Sequence, residues 1–202
     1  MTDVIKINKV DQITDFKWLN LFRADCQING KSIEWIYASR KTATTKENKP
    51  DAVIIVPFLK IENNLKIVLI EQYRIPIESW EISFPAGLID KGETIEDAAR
   101  RELKEETGLD IHFVKEVSPA VISSAGISDE SISFVFCDVS GKISNKGNED
   151  SENIIVKLVD IKDLSSILKE DIVLGKKVCS KTWAILWGLQ LYIDMIEISK
   201  NL

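Results

Sequence analysis

The sequence predicts an α/β (α+β) sandwich built on a mixed sheet, with a small β module at its N-terminus. Three observations predict it. Apolar, β-branched runs bounded by turn residues recur along the chain, a carboxylate-rich amphipathic helix interrupts them near the middle, and a largely apolar helix closes the sequence.

Residues 1–45 carry short alternating segments around Asn29-Gly30-Lys31, with 32–37 as the outgoing strand of a hairpin. This module is expected to be separate. A polar stretch, 42–51, parts it from the apolar run 52–59, where the main domain (residues 50–202) begins. The next strand is expected at 66–73, joined to the previous one through Glu62-Asn63-Asn64. From 94 to 107 the pattern turns helical, with Ile95, Ala98, Ala99 and Leu103 facing inward and Gly108 placed to end the helix. Further strands are expected at 113–121, 131–139 and 153–159. Between the last two lies a polar, glycine-containing loop with an acidic end, a composition compatible with a functional loop or with disorder. Residues 183–193 read as a helix apolar on most faces and therefore packed on the sheet.

Composition narrows the function. A formal charge of −6 supplies no long-range attraction to a nucleic-acid backbone, so any phosphate must be met by local cations or by metal. Cys26, Cys137 and Cys179 stand far apart with no CxxC spacing, which argues against a zinc site or a disulfide framework and for a reducing cytoplasm. They are expected to be small core residues. The first residues lack the apolar run of a signal peptide and 183–193 is too short to span a bilayer, so no membrane partner is expected. His112, the single histidine, is expected to be a partly exposed strand residue.

The chemistry lies between Gly87 and Leu109, GLIDKGETIEDAARRELKEETGL. Offsets of three and four put Glu102, Glu105 and Glu106 on one helix face, where like charges repel by a few tenths of a kcal/mol per pair, about 0.2–0.5. A divalent cation reverses that sign. Carboxylates without histidine or thiolate suit Mg²⁺ or Mn²⁺, ions that bridge to substrate phosphates. Arg101, within one turn of these acids, is expected to hold one of them by a charge-assisted bond; the alternative is a surface ion pair.

Gly87, Glu93, Arg101, Glu102, Leu103, Glu105, Glu106, Gly108 and Leu109 match every fixed position of the Nudix box, so the chain resembles the Nudix hydrolases. Glu71-Gln72-Tyr73-Arg74 and Phe84-Pro85-Ala86-Gly87 before the box, and Ser118-Pro119-Ala120-Val121 and Gly126–Glu130 after it, are similar to segments of ADP-ribose and ADP-sugar pyrophosphatases. The resemblance implies a Nudix-type α/β/α sandwich and hydrolysis of a nucleoside diphosphate sugar. It also implies a metal site made by Glu102 and Glu106, with Glu105 as a further or water-mediated ligand and the Ala86 carbonyl completing the shell. The general base implied is a loop carboxylate, with Glu152 in the matching position and Glu149 as its substitute.

For the substrate, the resemblance implies that Trp18 and Trp35 sandwich adenine across a homodimer, with Arg40 and Arg74 gripping phosphate or base. The alternatives are two tryptophans in a hairpin core and two exposed surface arginines. Two positions depart from the subgroup pattern. Ala125 stands where a proline is usual, and Ser83 stands where a glutamate is usual, with Glu81 the nearest acid. Neither touches the box, so they bear on the substrate and leave open another nucleotide sugar, a dinucleotide, a dinucleoside polyphosphate, or a sensing domain without turnover.

Overall fold

The computed structural model describes residues 5–41, 49–144, 153–164, 169 and 173–200. Along the chain the strands begin with β1 (Ile5–Gln12), β2 (Asn20–Ile28), β3 (Lys31–Ser39), β4 (Ala52–Ile61), β5 (Asn64–Arg74), β6 (Ser79–Ser83) and β7 (Ala86–Leu88). Helix α1 (Ile95–Thr107) follows, then β8 (Leu109–Val117), β9 (Val121–Ile122), β10 (Ser131–Gly141), β11 (Ile154–Asp160), β12 (Lys177–Val178) and helix α2 (Ser180–Lys200). The chain divides into two compact units, Met1–Asp51 with Pro119–Ile132, and Ala52–Ser118 with Ser133–Leu202.

In the first unit β1, β2 and β3 form an antiparallel sheet. The β2–β3 hairpin closes on two residues, Asn29 and Gly30, both with positive φ (52° and 77°), the conformation that matches the twist of the flanking strands. Phe22 and Tyr37 stack across the pair at 5.7 Å between centroids. The 119–132 segment joins this unit through polar bonds. Ser39 Oγ donates to Asp129 Oδ2 (3.0 Å), and Asp51 Oδ2 accepts from both the backbone N–H and the hydroxyl of Ser131 (2.8 and 3.1 Å).

The second unit is a mixed sheet in the order β12-β6-β5-β4-β10-β8. β5 organises it. β11 runs antiparallel along one edge of β5, while β4 and then β6 take the other edge in turn, and β12 adds in parallel to β6. Because side chains alternate along a strand, β5 feeds two separate cores. Val68 joins Val53, Ile55, Ala98, Ala99 and Leu103 beneath α1. Ile67 and Leu69 join Val56, Ile82, Phe84 and Leu186 beneath α2. The sheet therefore carries a helix on each face, the layering expected from the sequence.

Two differences from the expected elements have clear causes. The strand after α1 starts at Leu109 instead of 113, because Gly108 takes φ 76° and turns the chain at once, which lets Leu109 and Ile111 enter the core. The last helix runs from Ser180 to Lys200, well beyond 183–193, and only one side of it is covered. Cys137 is fully buried and its thiol is pushed up to about 12 by desolvation, whereas Cys26 and Cys179 are half-buried. His112 lies exposed on β8. The buried carboxylate of Glu71 on β5 accepts from Lys176 Nζ through both oxygens (2.8 and 2.9 Å), with Lys157 Nζ at 3.5 Å. Such a carboxylate is tolerable in a core only with its charge partnered. Among the described residues, no helix is long and apolar enough to cross a membrane.

Candidate active site

α1 presents the box residues because its ends are well defined. Thr94 caps it, its hydroxyl accepting from the Asp97 N–H at 3.1 Å, a contact worth about 1 kcal/mol, and Gly108 ends it in the left-handed region. The inward stripe is Ala98, Ala99, Leu103, Glu106 and Thr107. Glu106 is thus a carboxylate in an apolar row, 3% exposed, and a charge so placed needs compensation. Its Oε2 accepts the Ala86 backbone N–H at 3.1 Å, which ties the helix to β7.

Arg101 organises the remaining acids. Its Nε and Nη2 donate to the two oxygens of Glu93 (2.9 and 3.0 Å), a bidentate pair. Nη2 also donates to the Leu88 carbonyl at 2.9 Å, and Nη1 donates to Glu102 Oε1 (2.7 Å) and Glu105 Oε2 (3.3 Å). One guanidinium therefore spans three carboxylates and the loop before the helix. The hydrogen bond from Arg101 holds the Glu93 carboxyl below the usual carboxylate range, and Glu93 in turn keeps Arg101 more firmly protonated. Arg101 stands beside the acids, and Glu93, which the sequence reading gives no site role, is its bidentate partner. The signal was present in the eight-residue offset, which carries Glu93 around the N-terminal cap onto the guanidinium.

Gly87 shows why this position has no side chain. A Cβ there would collide with the Glu102 carboxylate, which lies against the β7 backbone. Among the described residues no set of three or more His, Cys, Asp or Glu side chains converges to hold a metal ion as the side chains stand. The geometry gives the reason: Arg101 draws Glu102 and Glu105 to its own nitrogens, and Glu106 is turned to the Ala86 N–H.

The other expected site residues fall in both units. In the first unit Trp18 is 68% exposed with Lys17 Nζ 4.2 Å from its ring centroid, and Trp35, on β3, is 49% exposed. Neither is a core residue, and no ring contact joins the two indoles among the described residues. Arg40, also in that unit, has its Nε 3.6 Å from Glu130 Oε1. In the second unit Arg74 ends β5 and donates to Glu81 Oε2 at 3.1 Å, the acid that neighbours Ser83. The Ser83 hydroxyl is buried without a hydrogen-bond partner among the described residues. Glu149 and Glu152 lie outside the described residues.

A loop, a capped helix carrying carboxylates on one face, and a second loop, mounted on a mixed sheet, define a class of phosphate-chemistry domain. The chain belongs to the Nudix family: the family model described as NUDIX domain matches residues 48–180. It is 36% identical over 139 residues to an ADP-ribose pyrophosphatase of Saccharomyces cerevisiae, a match covering 67% of this chain and 59% of the yeast protein. It is 34% identical over 137 residues to an ADP-sugar pyrophosphatase of Mus musculus, covering 67% of this chain and 62% of that one. The matched segment therefore spans about three-fifths of the length of these curated relatives. A crystal structure of an ADP compounds hydrolase superposes with a TM-score of 0.65 at 22% identity, covering 82% of this chain and 83% of the other, which shows a shared fold.

Proposed function

We propose that this chain is a Mg²⁺-dependent pyrophosphatase that hydrolyses ADP-ribose or a related ADP-sugar to AMP and a sugar phosphate. The observation that carries the reading is the box carboxylates beside β7, with Glu93, Glu102 and Glu105 gathered around Arg101 and Glu106 accepting the Ala86 N–H. The names of the yeast and mouse relatives support the substrate class.

The residues suit a hard divalent cation. Their donors are carboxylate oxygens, and Gly87 leaves the space that Glu102 occupies. Glu102 and Glu106 are assigned as principal ligands, Glu105 as a further or water-mediated one, and the Ala86 carbonyl as the last. When bound, the cation neutralises the pyrophosphate and polarises its phosphorus. The protein's own groups do the rest. A water oxygen forms a bond to one phosphorus, the bridging P–O bond breaks, and the bridging oxygen leaves with the other phosphate. A carboxylate takes the proton of that water, a role assigned to Glu152. Arg101, firmly protonated, keeps Glu93, Glu102 and Glu105 in register throughout.

Residues 1–45 are assigned to dimerisation and base stacking, and 50–202 to catalysis. The exposure of Trp18 and Trp35 supports a stacking role, since an indole buried in a hairpin core has no face to offer a base. Arg40 and Arg74 are assigned as the local cations that meet phosphate or base. Ser83 and Ala125 favour a second reading of the substrate, another nucleoside diphosphate derivative, with the same chemistry.

The test is phosphate release, coupled to phosphatase, from ADP-ribose, ADP-glucose, other nucleotide sugars, dinucleotides and dinucleoside polyphosphates, with Mg²⁺ and with chelator. Turnover should require metal and be fastest on ADP-ribose or an ADP-sugar. A dinucleoside polyphosphate as best substrate would move the reading to the alternative, and no turnover of any compound would overturn it. Gly87→Ala should lower kcat roughly 10–100-fold with little change in melting temperature, because the new methyl displaces the flexible Glu102 carboxylate instead of packed backbone. Steady-state kinetics and thermal melts check it; unchanged kcat would show that the Glu102 position is immaterial.

A further inference from the structure

α2 docks on the sheet through Thr182, Ile185, Leu186 and Leu189. Its opposite face carries Ala184, Gly188, Leu191, Met195 and Ile198, spaced 4, 3, 4 and 3 residues apart, and all are exposed. Leu191, Met195 and Ile198 are 58%, 66% and 62% exposed. This is the 3.5-residue repeat of a helix seam that faces another helix. Gly188 adds an independent observation. Glycine in a helix interior costs about 1 kcal/mol relative to alanine, and among the described residues a Cβ at this position would meet nothing within 4 Å, so no contact among them calls for it. A second backbone in close approach does.

We propose that α2 pairs antiparallel with α2 of a second copy of this chain, about a two-fold axis at Leu191. That register sets Ala184 opposite Ile198 and Gly188 opposite Met195, with Leu191 and the exposed Tyr192 near their own counterparts. Each small residue meets a large one. A parallel pair sets small against small at one end and leaves a void there. Charge selects the same direction. Lys181 lies in the first turn, while Asp194 and Glu197 outnumber Lys200 in the last two, so an antiparallel pair brings ends of opposite sign together, as it does the helix dipoles. The seam spans about 21 Å of helix, which places the contact among small, transient interfaces with micromolar or weaker affinity, on the order of 10⁻⁶–10⁻⁴ M. This association requires neither turnover nor residues 1–45.

Sedimentation equilibrium of the full chain from about 5 to about 500 µM tests it, with Leu191→Glu and Gly188→Gln as variants. The wild type should pass through a doubling of mass beyond any association through residues 1–45, and both variants should weaken that step alone roughly tenfold or more while retaining hydrolysis. Gly188→Gln raises helix propensity, so it weakens association without unfolding the monomer. In a Cys26→Ser, Cys179→Ser background, Leu191→Cys should oxidise to a disulfide-linked dimer far faster than Glu197→Cys, which lies off the seam. Wild-type association in both variants, or equal oxidation of the two cysteine variants, would overturn the proposal. Binding of the wild type to phosphatidylcholine–phosphatidylglycerol vesicles without self-association would overturn it in favour of a lipid-facing helix.

Discussion

Glu106→Gln should lower kcat on the order of 10³-fold, equivalent to about 4 kcal/mol of transition-state stabilisation, and leave the fold in place. Glu106 is nearly fully buried on the inner stripe of α1 and accepts the Ala86 N–H. Glutamine has the same size, and its amide oxygen still accepts that N–H, so the tie between helix and β7 survives. What is lost is the negative charge at the position assigned to the metal. Kinetics at saturating Mg²⁺, with circular dichroism and thermal melts beside them, separate the two effects. Activity within tenfold of wild type and an unchanged spectrum would remove Glu106 from the ligand set.

Glu152→Gln should lower kcat about 10²–10⁴-fold and change KM little, because a general base acts on the attacking water and not on ground-state binding. Glu149→Gln, three residues earlier in the same acidic stretch, should cost far less and controls for altered loop charge. A crippled Glu149 variant beside a nearly normal Glu152 variant would move the base three residues towards the N-terminus. Two nearly normal variants would show that neither acid is the base and would pass that role to a box carboxylate such as Glu105.

Much of the fold was legible because its signals are local. Asn29-Gly30 and Glu62-Asn63 sit at two-residue turns, with positive φ at Asn29, Gly30 and Glu62. Thr94 and Gly108 bound α1, where the change from strand to helical periodicity places it. β7 and β12, of three and two residues, are too short to carry any periodicity, and β1 has an almost wholly exposed pattern that gives no inward face to detect. The start of β8 was misplaced by four residues because Gly108 needs no connecting loop.

For the candidate site the division follows the same line. The sequence by itself determined that Glu105 and Glu106 fall on the helix face of Glu102, with Arg101 four residues before Glu105, since offsets of three and four in a helix are a property of the backbone repeat. It also determined the turn and cap residues, which act within a few positions of themselves. Only the tertiary structure decided which partners those side chains hold. Arg101 reaches the Leu88 carbonyl, Glu106 reaches back twenty residues to Ala86, and the Glu102 carboxylate takes the space above Gly87, because β7 packs beside α1. The charged cluster at Glu71 joins residues separated by more than a hundred positions, and which side of α2 is buried follows from its packing on the core around Phe84 and Ile82. Contacts of this kind depend on which segments the burial of apolar surface brings together, and no window of the sequence contains both members.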